Sequence, residues 1–261
     1  MMDGTAARFA MLISMHRNSA LSFPEVQRVT NTAAAVPAST LPHLRDMFPN
    51  ALVFRMYGLT ECKRVCYLPP EAIDERPDSV GKAIPGTEVS ILGPDGEPVA
   101  SGEVGVLHVR GPLVMLGYWK RPEETARMLK PGRYPGERIL CTQDFFRMDG
   151  DGYLYFVGRS DDIIKTRGEK VSPTEVENAL YAIAGVREAA VIGVPDEVMG
   201  QAIHAFVVLE PGCGLTARDI KRHCALRLEG FMVPRDVTFR SELPKTDTGK
   251  IRRKGLLETA D

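Results

Sequence analysis

The 261-residue sequence has no excess of either charge, with 33 Lys and Arg against 34 Asp and Glu and a formal charge of −1. That balance excludes whole-molecule attraction to nucleic acid or anionic lipid and leaves only one short basic patch, Lys250-Ile251-Arg252-Arg253-Lys254. No nucleic-acid partner is expected from so few cations. Long apolar runs are also missing. None approaches the ~20 residues that cross a bilayer, and the stretch at 9–13 is too short and too weakly flanked for a signal-peptide core. Cysteine is scarce and scattered, at 62, 66, 141, 213 and 224, with no second CxxC or His-rich cluster to complete a zinc site. Free thiols in a reducing cytoplasm are the expectation. No Gly-rich phosphate loop opens the chain. Thr248-Gly249-Lys250-Ile251 lacks both the first Gly and the final hydroxyl of a P-loop.

What remains is a composition of 44% hydrophobic and 26% charged residues, enough for one or two globular domains with a buried core. The first 50 residues read as helix, short strand, helix, with Ser39 as the cap of the second helix and Pro42 in its first turn. Cys62 and Cys66 are expected on a helix or turn. From about 79 to 157 the pattern changes to short strands and turns, which predicts a small sheet or distorted barrel, interrupted by a helix starting at Pro122. A boundary falls at 160–162. Beyond it, Ser172-Pro173-Thr174-Glu175 and Thr216-Ala217-Arg218-Asp219 are capping boxes that open helices ending at Gly185 and Gly230, and the alternation with strands describes an α+β unit of about 100 residues.

Three polar segments could carry chemistry. In Met56-Tyr57-Gly58-Leu59-Thr60-Glu61, the ring of Tyr57 could stack on a base, Thr60 could meet a phosphate and Glu61 could hold Mg²⁺; a turn leading into an N-capped helix explains the same residues. The segment at 142–173 mixes Asp144, Asp149, Asp151, Asp161 and Asp162 with Arg159, Lys165, Arg167 and Lys170. Such a mixture suits ribose hydroxyls together with phosphate, or equally a solvated surface between domains. The segment at 243–257 places Lys250 after a Gly, where an extended ammonium could meet charge developing on a phosphate; a basic tail is the alternative.

Tyr57-Gly58-Leu59-Thr60-Glu61, the stretch GEVGVLHVRGPLVMLGYWKRPEET at 102–125, DGYLYFVGRSDDIIKTRGEKVSPTEVE at 151–177 and PKTDTGKIRR at 244–253 follow one another in an order and at spacings that resemble the adenylate-forming enzymes, the superfamily of AMP-dependent acyl-CoA synthetases and ligases. The resemblance runs from about residue 23 to the end. It implies an α+β fold in two parts. Residues 1–160 would be the C-terminal portion of a large AMP-binding domain, with helices and a small barrel-like subdomain, and 161–261 a small mobile α+β lid. The implied reaction activates a carboxylic acid with ATP and Mg²⁺ to an acyl-adenylate and passes the acyl group to CoA or to the phosphopantetheine of an acyl carrier protein. By the same resemblance Tyr57 would pack on adenine, Thr60 would touch the α-phosphate or the substrate carboxylate, and Glu61 would hold Mg²⁺. Asp144 would bind ribose with Arg159 beside it, and Asp161 would be the hinge. Gly168 would line the thiol tunnel, Lys170 would lie near phosphate, and Lys250 would be the catalytic lysine of adenylation.

Two departures stand out. Gln143 replaces the usual Gly before Asp144, and Asn31-Thr32-Ala33-Ala34-Ala35 replaces a Gly-Gly-Ala segment. Only 56 residues precede Tyr57, so the phosphate loop and most of the acyl pocket are expected to be missing. The expectation is therefore a partial or partner-dependent ligase, completed by a separate N-terminal half or by self-association, with a fatty or other medium-to-large acyl acid as substrate and an amino acid second. The alternative is an inactive remnant that binds a synthetase or carrier protein.

Overall fold

The computed structural model describes residues 1–4, 6–31, 38–246, 251–253 and 255–257. The described residues form three five-stranded sheets and a few short helices, a mixed α+β architecture. The first sheet runs in chain order through β1 (Met2–Gly4), β2 (Arg28–Asn31), β3 (Leu52–Leu59), β4 (Cys62–Leu68) and β5 (Lys82–Ala83). Its first two pairings are parallel, which requires crossovers, and α1 (Ala6–Ser19) and α2 (Leu41–Met47) supply them. Phe9 and Ile13, four apart on α1, are buried with Leu41, Leu44 and Met47 of α2. The N-cap of α2 is Thr40 rather than Ser39, and its side chain makes no capping hydrogen bond because a 3₁₀ turn leads straight into the helix. Pro42 sits in the first turn as expected. Cys62 and Cys66 lie on strand β4, not on a helix; both are buried, and their neighbour Val65 is fully so.

The second sheet has the order β10 (Leu154–Arg159), β9 (Arg138–Met148), β7 (Gly105–Arg110), β6 (Glu88–Leu92), with β8 (Leu129–Pro131) also on β9. It is antiparallel throughout, as the short strands and the turn at 93–98 suggest. Inward residues alternate along β7 and β9: Leu107, Val109, Leu140 and Phe146 are all fully buried. Helix α3 (Pro122–Met128) opens with Pro in its first turn and Glu123 and Glu124 at its positive end.

The third sheet is built from β11 (Ile164–Thr166), β12 (Glu169–Val171), β13 (Val186–Asp196), β14 (Gly200–Leu209) and β15 (Asp236–Phe239), and is covered by α4 (Pro173–Tyr181) and α5 (Ala217–Ala225). Its core joins Ile164, Val171, Val176, Leu180, Val191, Ile203, Val207 and Ile220, each contributing roughly 1.5–3 kcal/mol on burial. The capping box of Thr216 and Asp219 is complete. At α4 Ser172 accepts from the Glu175 amide, but the reciprocal half is not made. Both helices stop earlier than their glycines predict: α4 at Tyr181, four residues before Gly185, and α5 at Ala225, five before Gly230. Among the described residues no helix is long and apolar enough to cross a membrane.

Candidate functional site

The Tyr57-to-Glu61 segment is a hairpin rather than the start of a helix. Leu59 pairs with Cys62, so Thr60 and Glu61 are the two residues of its tip. A Cβ on Gly58 would lie 2.1 Å from the Lys63 carbonyl oxygen, so only Gly allows β3 to approach β4 here. Thr60 is exposed and Glu61 half-buried. The Glu61 carboxylate accepts a short hydrogen bond from the Tyr118 hydroxyl, and the Met115 amide donates to the Glu61 carbonyl at 2.8 Å. The loop at 111–118 is thus pinned along the hairpin. Burial first, and the adjacent Glu61 second, push the Tyr118 hydroxyl up to about 12, which keeps it a proton donor to Glu61 at neutral pH.

Asp144 lies on β9 beside that hairpin. The Tyr57 hydroxyl donates to its Oδ2 at 2.6 Å. Its Oδ1 is buried with no hydrogen-bond partner among the described residues. Arg159, the cross-strand neighbour on β10, brings Nε to 3.6 Å of Oδ1, close enough for charge but beyond a hydrogen bond. Burial raises the Asp144 carboxyl above the ordinary carboxylate range; the Tyr57 hydrogen bond and Arg159 oppose this, while the charges of Glu61 and Asp162 add to it. The Tyr57 ring meets Phe146 edge-on at 4.8 Å and lies 6.3 Å from Phe156.

The backbone before Asp144 explains why glycine suits the preceding position. Gln143 has φ +60, in the left-handed region. The β7–β9 register shifts between Val106 and His108. Thr142 fills the irregularity, donating from Oγ1 to the Leu107 carbonyl at 2.8 Å and accepting from the Asp144 amide at 3.1 Å. The glutamine therefore keeps the backbone that a glycine would adopt without strain.

The structure thus brings Tyr57, Glu61, Asp144 and Arg159 to one place, with Thr60 at its rim. The other predicted residues lie on neighbouring segments. Asp161 is exposed in the turn after β10. Gly168 (φ +85) follows Arg167 (φ +54) in the two-residue loop joining β11 to β12, the pair of positive φ angles that a tight hairpin demands. Lys170 is exposed, with Nζ 5.9 Å from the centre of the Phe145 ring. Lys250 and the altered segment at 32–35 lie outside the described residues.

Sequence reasoning missed three participants. Tyr118 holds Glu61, and Thr142 shapes the bulge. Arg253 binds Glu177 through its Nε and Nη2 at 2.8–3.2 Å and Asp162 through Nη1 at 2.9 Å. A polar aromatic in a Gly-rich loop and an Arg three residues after Lys250 were visible, but nothing local in the chain reveals a contact across 57 or 91 positions.

A buried carboxylate with one oxygen satisfied and the other open is suited to a hydroxyl donor. Beside it stands a single carboxylate, Glu61, restrained by a phenol. Among the described residues no group of three His, Cys, Asp or Glu could hold a metal, and one carboxylate completed by phosphate oxygens is a common way to hold Mg²⁺. The residues present fit a magnesium nucleotide.

Comparison with known proteins supports that class. The AMP-binding enzyme family matches residues 1–119, and the AMP-binding enzyme C-terminal domain matches residues 175–250. The chain belongs to the adenylate-forming enzymes, and the likeness begins at residue 1 rather than near 23. A long-chain-fatty-acid–CoA ligase of Yersinia pestis is 44% identical over 200 residues, covering 77% of this chain and 34% of that protein. A feruloyl-CoA synthase of Amycolatopsis is 41% identical over 220 residues, covering 84% and 43%. Among solved structures, ATP-bound MatB from Rhodopseudomonas palustris matches with a TM-score of 0.85 at 28% identity, covering 98% of this chain and 50% of that one. The anthranilate CoA ligase AuaEII with anthranoyl-AMP gives 0.87 at 31% identity, covering 98% and 49%. The chain spans about a third of the length of the first curated relative and half of these solved structures.

Proposed function

We propose that this chain supplies the adenosine and magnesium side of an ATP-dependent acid–thiol ligase, together with the lid that carries its lysine. The observation that carries this reading is Asp144, whose Oδ1 is buried without a hydrogen-bond partner while Tyr57 fixes Oδ2. In this reading Oδ1 accepts from a ribose hydroxyl, Arg159 offsets the carboxylate charge, and Tyr57 borders the adenine. Glu61 holds Mg²⁺ with the nucleotide phosphates, and the metal supplies charge neutralisation at the attacked phosphorus. Thr60 stands at the rim, where the α-phosphate and the acid meet. Lys250 acts as the cation of adenylation. Asp161 is the hinge between a body at 1–160 and a lid at 161–261, and Gly168 and Lys170 face the nucleotide when the thiol attacks.

The acid is a fatty or other medium-to-large acyl acid, in keeping with what the relatives are called, and the acceptor is CoA or a carrier phosphopantetheine. Full turnover requires the remaining part of the fold, provided by a further polypeptide segment or a second chain.

Calorimetric titration of the purified chain with AMP and with ATP, with and without Mg²⁺, tests this reading. Binding of AMP that falls by about tenfold or more in Asp144→Ala is expected, because a hydrogen bond to a charged group contributes roughly 1.5–3 kcal/mol. AMP binding unaffected by Asp144→Ala would overturn it. Acid-dependent AMP release, lost in Lys250→Ala, would extend the reading from binding to the first half-reaction.

A further inference from the structure

The loop that carries Tyr118 has two sides. Inward, Val114 and Met115 pack on the buried cluster around Leu107 and Leu140, and Tyr118 holds Glu61. Outward, Leu113 is half-exposed, Leu116 is 92% exposed and Trp119 is 86% exposed. A single exposed apolar side chain is ordinary, but three within 113–119 make an apolar edge, turned away from the nucleotide site.

The edge is held out by bonds within the protein. The Val114 amide donates to the Gly111 carbonyl at 3.2 Å and the Met115 amide to the Glu61 carbonyl at 2.8 Å. The Leu116 carbonyl accepts from Arg138 Nη1, and the Tyr118 amide donates to Thr125 Oγ1 at 2.9 Å. A Cβ on Gly117 would lie 2.8 Å from Thr125 Cγ2, so glycine lets the loop settle onto α3. These bonds satisfy backbone groups that entry into a less polar medium would otherwise strip of water.

Charge around the edge has one prevailing sign. The whole chain is balanced, yet 111–138 contains six Lys and Arg against three Glu. Lys120 directly follows Trp119, is exposed, and has its Nζ 5.9 Å from the centre of the indole. Tryptophan beside a cation suits the headgroup boundary of a bilayer. The ring faces the acyl chains, its N–H meets water, and the cation meets anionic headgroups.

We propose that this edge is a membrane-docking wedge: Leu113, Leu116 and Trp119 enter the headgroup–acyl boundary of an anionic bilayer, and Lys120 meets its headgroups. Peripheral contact of this kind requires no spanning helix. A second copy of the chain fits the edge less well. The cleft beside the loop, about 370 Å³ and lined by Gly86, Glu88, Arg110, Gly111, Glu137 and Arg138, is charged and offers a protruding indole no apolar seat. For the fatty acid substrate proposed above, the bilayer is also where a long acyl chain partitions; the docking itself does not depend on that reading.

The chain has a single tryptophan, so its fluorescence reports Trp119 alone. Titration of the intact chain with vesicles of phosphatidylcholine and phosphatidylglycerol is expected to shift the emission to shorter wavelength, and flotation to carry the protein with the vesicles. Leu116→Ser keeps the tryptophan and should weaken partitioning about tenfold, through loss of one large apolar side chain at the boundary, with an unchanged melting point. Lys120→Gln should weaken it about fivefold on the anionic vesicles, and not on pure phosphatidylcholine. Absence of both shift and flotation would overturn the proposal, as would full binding by folded Leu116→Ser or equal affinity for the two kinds of vesicle. A shift produced by raising the protein concentration without vesicles would overturn it in favour of a second copy.

Discussion

The Tyr57 hydroxyl and the Asp144 carboxylate, 87 positions apart in the chain, meet at 2.6 Å. Asp144 is buried, and burial holds its carboxyl above the ordinary range. A carboxyl raised in the folded state contributes stability below its unfolded pKa, and that contribution is lost as pH rises through the folded pKa. The Tyr57 hydrogen bond limits the loss by favouring the ionised form. Tyr57→Phe should therefore cost about 1–3 kcal/mol at pH 7, and less at about pH 3.5, where the carboxyl is mostly protonated in both states. Urea unfolding at the two pH values measures this; an equal loss at both would show that the ring, not the hydroxyl–carboxylate bond, is what matters.

Gln143 gives a backbone prediction beside the same site. Its φ of +60 is a conformation that β-branched side chains adopt poorly. Gln143→Val should destabilise by about 1–3 kcal/mol. Gln143→Gly should lie within about 1 kcal/mol of the parent, since relief of the left-handed strain is offset by the greater freedom of glycine in the unfolded chain. Denaturant melts of the two variants separate backbone strain from loss of side-chain contacts.

How much of this was legible in the sequence depends on whether the signal was local. Ser172 and Thr216 were readable as caps because capping is decided within four residues, and the strands at 186–194 and 203–210 because their apolar runs are continuous. The strand at Cys62–Leu68 was misread: a spacing of four between cysteines looks helical, and the cross-strand partners that make it a strand lie elsewhere in the chain. Helix ends were overextended because Gly185 closes the turn that follows α4 and Gly230 opens a separate 3₁₀ turn, so neither ends the last helical turn. Tyr57, Glu61, Asp144 and Arg159 stood out in polar segments and took individual roles from the resemblance to a family, whereas their hydrogen-bond partners Tyr118 and Thr142 required the fold.

Tyr118 leads to a prediction about the metal. Its hydroxyl binds one oxygen of Glu61, which orients the carboxylate and leaves its second oxygen for a cation. Groups that orient a metal-binding side chain typically change affinity by 10–100-fold. Tyr118→Phe should weaken the Mg²⁺-dependent gain in ATP affinity by about tenfold, with AMP affinity in EDTA unchanged. Glu61→Gln should abolish the gain. Calorimetry with and without Mg²⁺ reads both, and an equal loss of metal-free AMP binding in Tyr118→Phe would assign the phenol to nucleotide packing instead.

The ion pair of Arg253 with Glu177 ties the segment following Lys250 to helix α4, while Nη1 of the same guanidinium reaches Asp162 in the turn at 160–162. Glu177 is buried, and burial raises its carboxyl more than Arg253 lowers it. Arg253→Met should then leave a buried carboxylate supported, among the described residues, by the Val191 amide alone, at a cost of about 3–5 kcal/mol near neutral pH. Because the folded-state pKa is raised, the single variant should regain stability as pH falls and Glu177 takes up a proton. Arg253→Met combined with Glu177→Leu should recover most of the loss, since an apolar pair needs no desolvation of charge. Urea melts of the four chains in this cycle, at pH 5 and pH 8, measure the coupling. Recovery of stability in the double variant without recovery of AMP release would show that the pair serves to place the lysine-bearing segment; recovery of both would make it a support that an apolar contact can replace.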